Sequence, residues 1–215
     1  MPIPESQLEI WSKQGSVSQS SSTYASVKNA LESSNSLYKD KSFEVFLQGS
    51  YGNDTNIYAE SDVDVVIRLD SIFRGDIESL STEEKNAYNN LPNSTYNFKD
   101  FKKAVIIRLQ NAFGKENITE GNKAIKIKPS QSRRSVDVVV AHEHRNYHSW
   151  PNGYTSGIVF STLLDGEIIN YPKKHSDNCT NKHQETNQNF KPMVRIFKNI
   201  RSKLVEDKII TKDIA

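Results

Sequence analysis

The stretch Asp62-Val63-Asp64-Val65-Val66-Ile67 constrains this chain more than any other. Side chains alternate faces along a strand, so Asp62 and Asp64 share one face, about 7 Å apart, while Val63 and Val65 take the other. Two carboxylates side by side at the head of an apolar strand repel each other and lose hydration. A cation removes both penalties. Magnesium takes hard oxygen ligands, typically one or two carboxylates plus substrate phosphates, and keeps several waters. Just upstream, the apolar run of Phe43, Val45, Phe46 and Leu47 ends at Gly49-Ser50. Gly49 has no side chain to obstruct a polyphosphate, and Ser50 adds a hydroxyl beside backbone N–H donors. The aspartate pattern alone fits an edge strand facing water equally well, so its surroundings decide.

The surroundings agree with the metal reading. Gly-Ser, the polar spacer Tyr51 to Ser61, and Asp-x-Asp leading an apolar strand resemble the signature of the polymerase-beta-like nucleotidyltransferase superfamily. That resemblance implies a third acidic residue on a later strand, and Arg134-Ser135-Val136-Asp137-Val138-Val139-Val140 offers Asp137.

Composition bounds the rest. The 215 residues allow one full domain, or one domain and the start of a second. Twenty-eight basic and 26 acidic residues give a net charge of +2, so nothing global points to nucleic acid or membrane. A single cysteine, Cys179, excludes an internal disulfide and suits a reducing cytoplasm. No apolar run approaches the roughly 18 residues of a membrane span, and Met1-Pro2-Ile3-Pro4-Glu5 lacks the features of a signal peptide. A soluble, cytoplasmic protein is expected.

Along the chain, Leu8, Ile10 and Trp11 predict a helix over Glu5 to Gln14 that stops at Gly15. Tyr24, Val27, Ala30 and Leu31 predict a second over Val17 to Ser33. Asp70 to Asn93 reads as a polar excursion with a short helix opened by the capping box Ser81-Thr82-Glu83-Glu84. Phe98, Phe101, Val105, Leu109 and Phe113 predict a helix over Asn97 to Phe113, stopped by Gly114. Asn122 to Lys128 alternates apolar and basic residues as a half-exposed strand, and Arg134 to Ala141 is the strand of Asp137. Gly157 to Thr162 and Glu167 to Tyr171, joined around Asp165-Gly166, read as a hairpin. His175 to Asn189 reads as a polar functional loop. In it His175, Cys179 and His183 have the spacing of zinc ligands on a helix, but no fourth ligand is evident. His142 and His144 share a strand face and, with His148, read as structural or exposed.

Phe190 to Leu204 predicts an amphipathic helix. Its apolar stripe is Met193, Ile196, Phe197, Ile200 and Leu204, suited to packing on the helix of Tyr24 to Leu31. Lys191, Arg195 and Lys198 line an adjacent stripe, a solvated face or a set of phosphate contacts.

A narrower resemblance joins these segments. Trp11-Ser12-Lys13-Gln14-Gly15 with Ser21-Ser22-Thr23-Tyr24, the turn Gln48-Gly49-Ser50-Tyr51, and Tyr171-Pro172-Lys173-Lys174-His175 leading into Phe190-Lys191-Pro192-Met193-Val194-Arg195-Ile196-Phe197-Lys198 together resemble the bacterial CD-NTases. Those are relatives of cyclic GMP-AMP synthase, of oligoadenylate synthetase and of the dinucleotide cyclases of anti-phage signalling.

The resemblance implies an α+β fold: a mixed β-sheet of nucleotidyltransferase type flanked by helices, with the start of a C-terminal helical layer. Residues 1–174 would form the catalytic domain and 175–215 the beginning of that layer. Asp62, Asp64 and Asp137 would hold two magnesium ions, manganese being the substitute. Gly49 and Ser50 would hold the donor phosphates, assisted by Lys191 and Lys198. NTPs are the expected substrates and a cyclic nucleotide the product, with a regulatory or effector protein as a further partner. Two alternatives stand beside it: transfer of a nucleotide to a protein, RNA or small molecule, and a nucleotide-binding module without chemistry. The intact aspartates disfavour the latter. Past Leu204 the chain reads as a connection, leaving Ile209, Ile210 and Ile214 without an obvious partner. NTP binding with little cyclic product is therefore expected of the 215 residues alone.

Overall fold

In the computed structural model, residues 3–15, 17–58, 62–164 and 166–211 are described. Asp165 of the expected turn and Ile214 lie outside them. Two helices open the chain, α1 (Glu5–Ser12) and α2 (Val17–Leu31), followed by β1 (Phe43–Leu47), a one-turn α3 (Gly49–Gly52) and β2 (Val63–Asp76). Next come α4 (Thr82–Asn89), α5 (Phe98–Phe113) and the short strands β3 (Ile118–Glu120) and β4 (Ile125–Ile127). The long β5 (Val136–Ser149), β6 (Gly153–Ser161), β7 (Glu167–Asn170), α6 (Pro172–Glu185) and α7 (Phe190–Glu206) complete it.

One mixed seven-stranded sheet runs β1-β2-β5-β4-β3, with β6 paired to the far half of β5 and β7 to β6. The β2/β5 pair is parallel and the others antiparallel. Alternation gives the sheet two unlike faces. Val63, Val65, Ile67 and Leu69 of β2 and Val136, Val138 and Val140 of β5 join Val27 and Leu31 of α2 and Phe101, Val105 and Leu109 of α5 in the main core. The opposite face carries a smaller cluster around Val66, Val139, Ala141, Ile158 and Phe160. By the same alternation Asp64 and Asp137 belong to this second face.

Several expectations hold and others need correction. Ser81 caps α4 through the full capping box, and Asn97 caps α5, whose C-terminus is Gly114. The polar excursion starts later than the composition from Asp70 predicts: β2 continues to Asp76, because Phe73 to Asp76 pair with Glu143 to Asn146 beyond an irregularity after Leu69. The basic strand is shorter, Ile125–Ile127, and β3 pairs outside it.

The polar loop is instead the helix α6. Pro172 takes the first helical position, where a missing N–H costs nothing. Lys173 Nζ sits 2.7 Å from Glu44 Oε2 of β1, and Ser176 Oγ donates to the Gly52 carbonyl at 3.3 Å. These anchors outweigh the weak helix propensity of its Asn, Ser and Thr residues. Helix α7 packs on α1 rather than α2. Arg195 Nε donates to the Ser12 carbonyl at 2.5 Å and Asn199 Nδ2 to that of Trp11 at 3.2 Å. That leaves Met193 and Phe197 half or more exposed. Among the described residues no helix is long and apolar enough to cross a membrane.

Candidate active site

The sheet register brings two of the three aspartates together. Asp64 of β2 and Asp137 of β5 are direct partners in the parallel ladder, so they stand side by side on the face away from the main core. Asp62 precedes the first ladder residue of β2 by one position and is exposed. Both flanking strands are pinned by buried valines, Val63 and Val65 in one and Val136 and Val138 in the other, each 0% exposed. The carboxylates therefore project from a rigid floor.

Gly49 meets the same point from the other side. The N–H of Gln48 donates to the Asp64 carbonyl at 3.0 Å, laying the end of β1 against β2. Gly49 then turns with φ +67°, a left-handed conformation that glycine adopts without strain. A Cβ placed on Gly49 would lie 2.2 Å from Asp64 Oδ2, so only glycine lets the turn approach the carboxylate this closely. Ser50, half-buried, follows in α3, and the Thr55 N–H closes the turn onto the Ser50 carbonyl at 2.9 Å.

A cavity of about 320 Å³ opens here, lined by Gln48, Gly49, Asn53, Asp64, Asn170, Pro172 and His175. Neither Asn53 nor Asn170 carries a signal in the sequence, and His175 stands out there only for its zinc-ligand spacing and its place after Tyr171-Pro172. His175 arrives because α6 is a helix tied to β1 and α3, a placement that local sequence does not encode. Asn170 ends β7, whose hairpin was legible.

Of the two lysines, Lys191 is buried, and its Nζ donates to Asp54 Oδ2 at 2.9 Å. Arg195 Nη1 donates to the Asp54 carbonyl at 2.6 Å. Helix α7 thus grips the chain just after the Gly49–Gly52 turn. Lys198 is half-buried two turns further along α7.

The donor set fits a hard divalent cation. Asp64 and Asp137 are adjacent carboxylates, and the cradle at Gly49 leaves room for phosphate oxygens next to them. Among the described residues no group of three or more His, Cys, Asp or Glu is gathered tightly enough to hold a metal by itself. Magnesium does not require such a group, since substrate phosphates and waters complete its shell.

A mixed sheet presenting paired carboxylates beside a Gly-Ser turn is the arrangement that the resemblance to nucleotidyltransferases implies. The comparisons narrow the class. The C-terminal helical domain of cGAS/DncV-like nucleotidyltransferases matches residues 177–215. The chain is 40% identical over 222 residues to the cyclic nucleotide synthase CdnE01 of Staphylococcus haemolyticus, an alignment spanning 100% of this chain and 73% of that protein. The structure of the Rhodothermus marinus CdnE c-UMP-AMP synthase with Apcpp and Upnpp superposes with a TM-score of 0.88 at 36% identity, over 100% of this chain and 72% of that one. The Elizabethkingia meningoseptica CdnE cyclic dinucleotide synthase with GTP and Apcpp gives 0.77 at 27%, with the same coverage. The chain belongs to the CD-NTase family, and the relatives named here are CdnE cyclic nucleotide synthases.

Proposed function

We propose that this chain joins nucleoside triphosphates into a cyclic di- or oligonucleotide in a magnesium-dependent reaction, as a cytoplasmic component of anti-phage defence. The pairing of Asp64 with Asp137 across the parallel ladder, with Gly49 pressed against Asp64, carries the reading. Gly49 and Ser50 hold the donor phosphates, and Lys191 and Lys198 add positive charge from α7. Asp62 and Asp64 would hold both magnesium ions, and Asp137 would help to hold the one that serves the acceptor hydroxyl; manganese would serve in their place. When bound, such ions lower the pKa of an acceptor hydroxyl and neutralise the departing pyrophosphate.

The residues themselves supply placement. A ribose hydroxyl of the acceptor gives up its proton to solvent and bonds to the donor's α-phosphorus, the bond from that phosphorus to the α,β-bridging oxygen breaks, and pyrophosphate leaves. Repetition closes the ring. The rigid carboxylate floor and the glycine cradle fix the donor in line, so orientation and charge stabilisation account for the acceleration without a protein nucleophile. A regulatory or effector protein would read or release the signal.

Asp62→Asn and Asp64→Asn test this. Each is expected to keep the fold, because Asp62 is exposed and Asp64→Asn removes a like charge beside Asp137, and to abolish turnover across a magnesium titration. Wild-type activity in both variants would remove the metal assignment.

A further inference from the structure

The carboxylate row continues one strand further and ends in a cation. In β4, Ile125 and Ile127 are each 1% exposed and point into the main core. Lys126 between them therefore shares the face of Asp64 and Asp137. It is the direct partner of Asp137 in the antiparallel ladder. Three adjacent strands thus present Asp64, Asp137 and Lys126 in one line, with Lys126 Nζ 3.7 Å from Asp137 Oδ2. The lysine side chain is 61% exposed and the aspartate 25%.

The row has a direction. Gly49 and Ser50 lie on the β1 side of β2, whereas Lys126 lies two strands away on the other side, roughly 10 Å across the sheet. A donor triphosphate seated on the glycine turn is at the wrong end to be held by Lys126. What lies at its own end is the molecule approaching Asp137. We infer that Lys126 is the phosphate contact of the second, acceptor nucleotide, parked on Asp137 until metal and nucleotide arrive. This rests on the nucleotidyl-transfer reading above.

The energetics suit an exchange. An ion pair this open to water is weak, so giving up Asp137 costs little. The ammonium is a compact charge on a flexible stem and can swing to a phosphate without moving the strand. Its removal then has two opposite effects. Without nucleotide the carboxylates lose a counter-charge and hold a divalent cation more tightly. With nucleotide the acceptor loses a charge-assisted contact and binds more weakly. A lysine that merely stabilised β4 would produce neither.

The test uses the 215-residue chain as wild type, Lys126→Met, Lys126→Gln and Lys126→Arg, with Asp64→Asn as control. Mn2+ affinity is measured by electron paramagnetic resonance without nucleotide. A non-hydrolysable NTP analogue is then titrated calorimetrically at saturating Mn2+. In the Met and Gln variants Mn2+ should bind roughly two- to fivefold tighter. The first nucleotide step should be unchanged and the second weakened roughly tenfold, with Arg restoring it. An unchanged second step in folded Met and Gln variants, or equal loss in both steps, overturns the inference. Wild type binding Mn2+ no better than Asp64→Asn would instead bring down the metal reading beneath it.

Discussion

At the scale of single residues, Gly49 carries the most specific constraint. Its φ of +67° costs a non-glycine residue about 1–2 kcal/mol, and a Cβ there would collide with Asp64 Oδ2 at 2.2 Å. Gly49→Ala should therefore lose about that much stability and, by pushing the carboxylate aside, weaken NTP binding about tenfold or more. A thermal melt with a nucleotide titration reads both. Wild-type affinity would mean that the turn does not face the ligand. Asp54, by contrast, carried no signal in the sequence. It matters because α7 reaches it through Lys191, more than a hundred residues later in the chain, and contacts that distant leave no local pattern.

At the scale of elements, helix ends set local stability. Ser81 Oγ accepts from the Glu84 N–H at 3.2 Å while Glu84 Oε2 accepts from the Ser81 N–H at 2.9 Å. Ser81→Ala should cost about 1 kcal/mol, readable as a shift in the urea midpoint without loss of nucleotide binding. This cap was legible because both partners lie within one turn. So were α5, from its apolar period, and the strand of Asp64, from its alternation, although that strand begins at Val63 and leaves Asp62 just before it. Helix α6 was not legible: its composition is polar, and what orders it is Glu44 on β1 and the Gly52 carbonyl. The same holds for the second half of β2, which follows Glu143 to Asn146 of β5 rather than any apolar alternation of its own. Helix α7 showed its apolar stripe but not its partner, since α1 and α2 offer similar short stripes. Local signals found the carboxylates and the glycine turn, while the far wall of the cavity, Asn170 and His175, required the fold.

At the scale of the molecule, two histidines give stability a pH dependence. His142 and His144 in β5 each leave a buried Nδ1 without a hydrogen-bond partner among the described residues. Burial, with Arg74 and His144 nearby, pushes His142 down to about 4; the backbone around Glu143 opposes this only in part. His144 is lowered by burial and by Arg74, against the pull of Asp76. An unfolded histidine titrates near 6.5, so between about 6.5 and 4 the unfolded chain binds protons that the folded one does not. Folding stability should therefore fall as the pH drops through that window. His142 alone would contribute at most about 2 kcal/mol between pH 7 and pH 5. Urea unfolding at the two pH values measures this, and His142→Gln should flatten the difference; an equal slope in the variant would assign the loss to other groups.

What the carboxylate face makes can be read from its products. Wild type and Asp64→Asn, each incubated with magnesium and a mixture of labelled NTPs, then treated with phosphatase, test the proposed cyclisation most directly. A small phosphatase-resistant product is expected from the wild type, whatever its yield, and none from Asp64→Asn. Label transferred to a macromolecule, or the same product from both proteins, would contradict it.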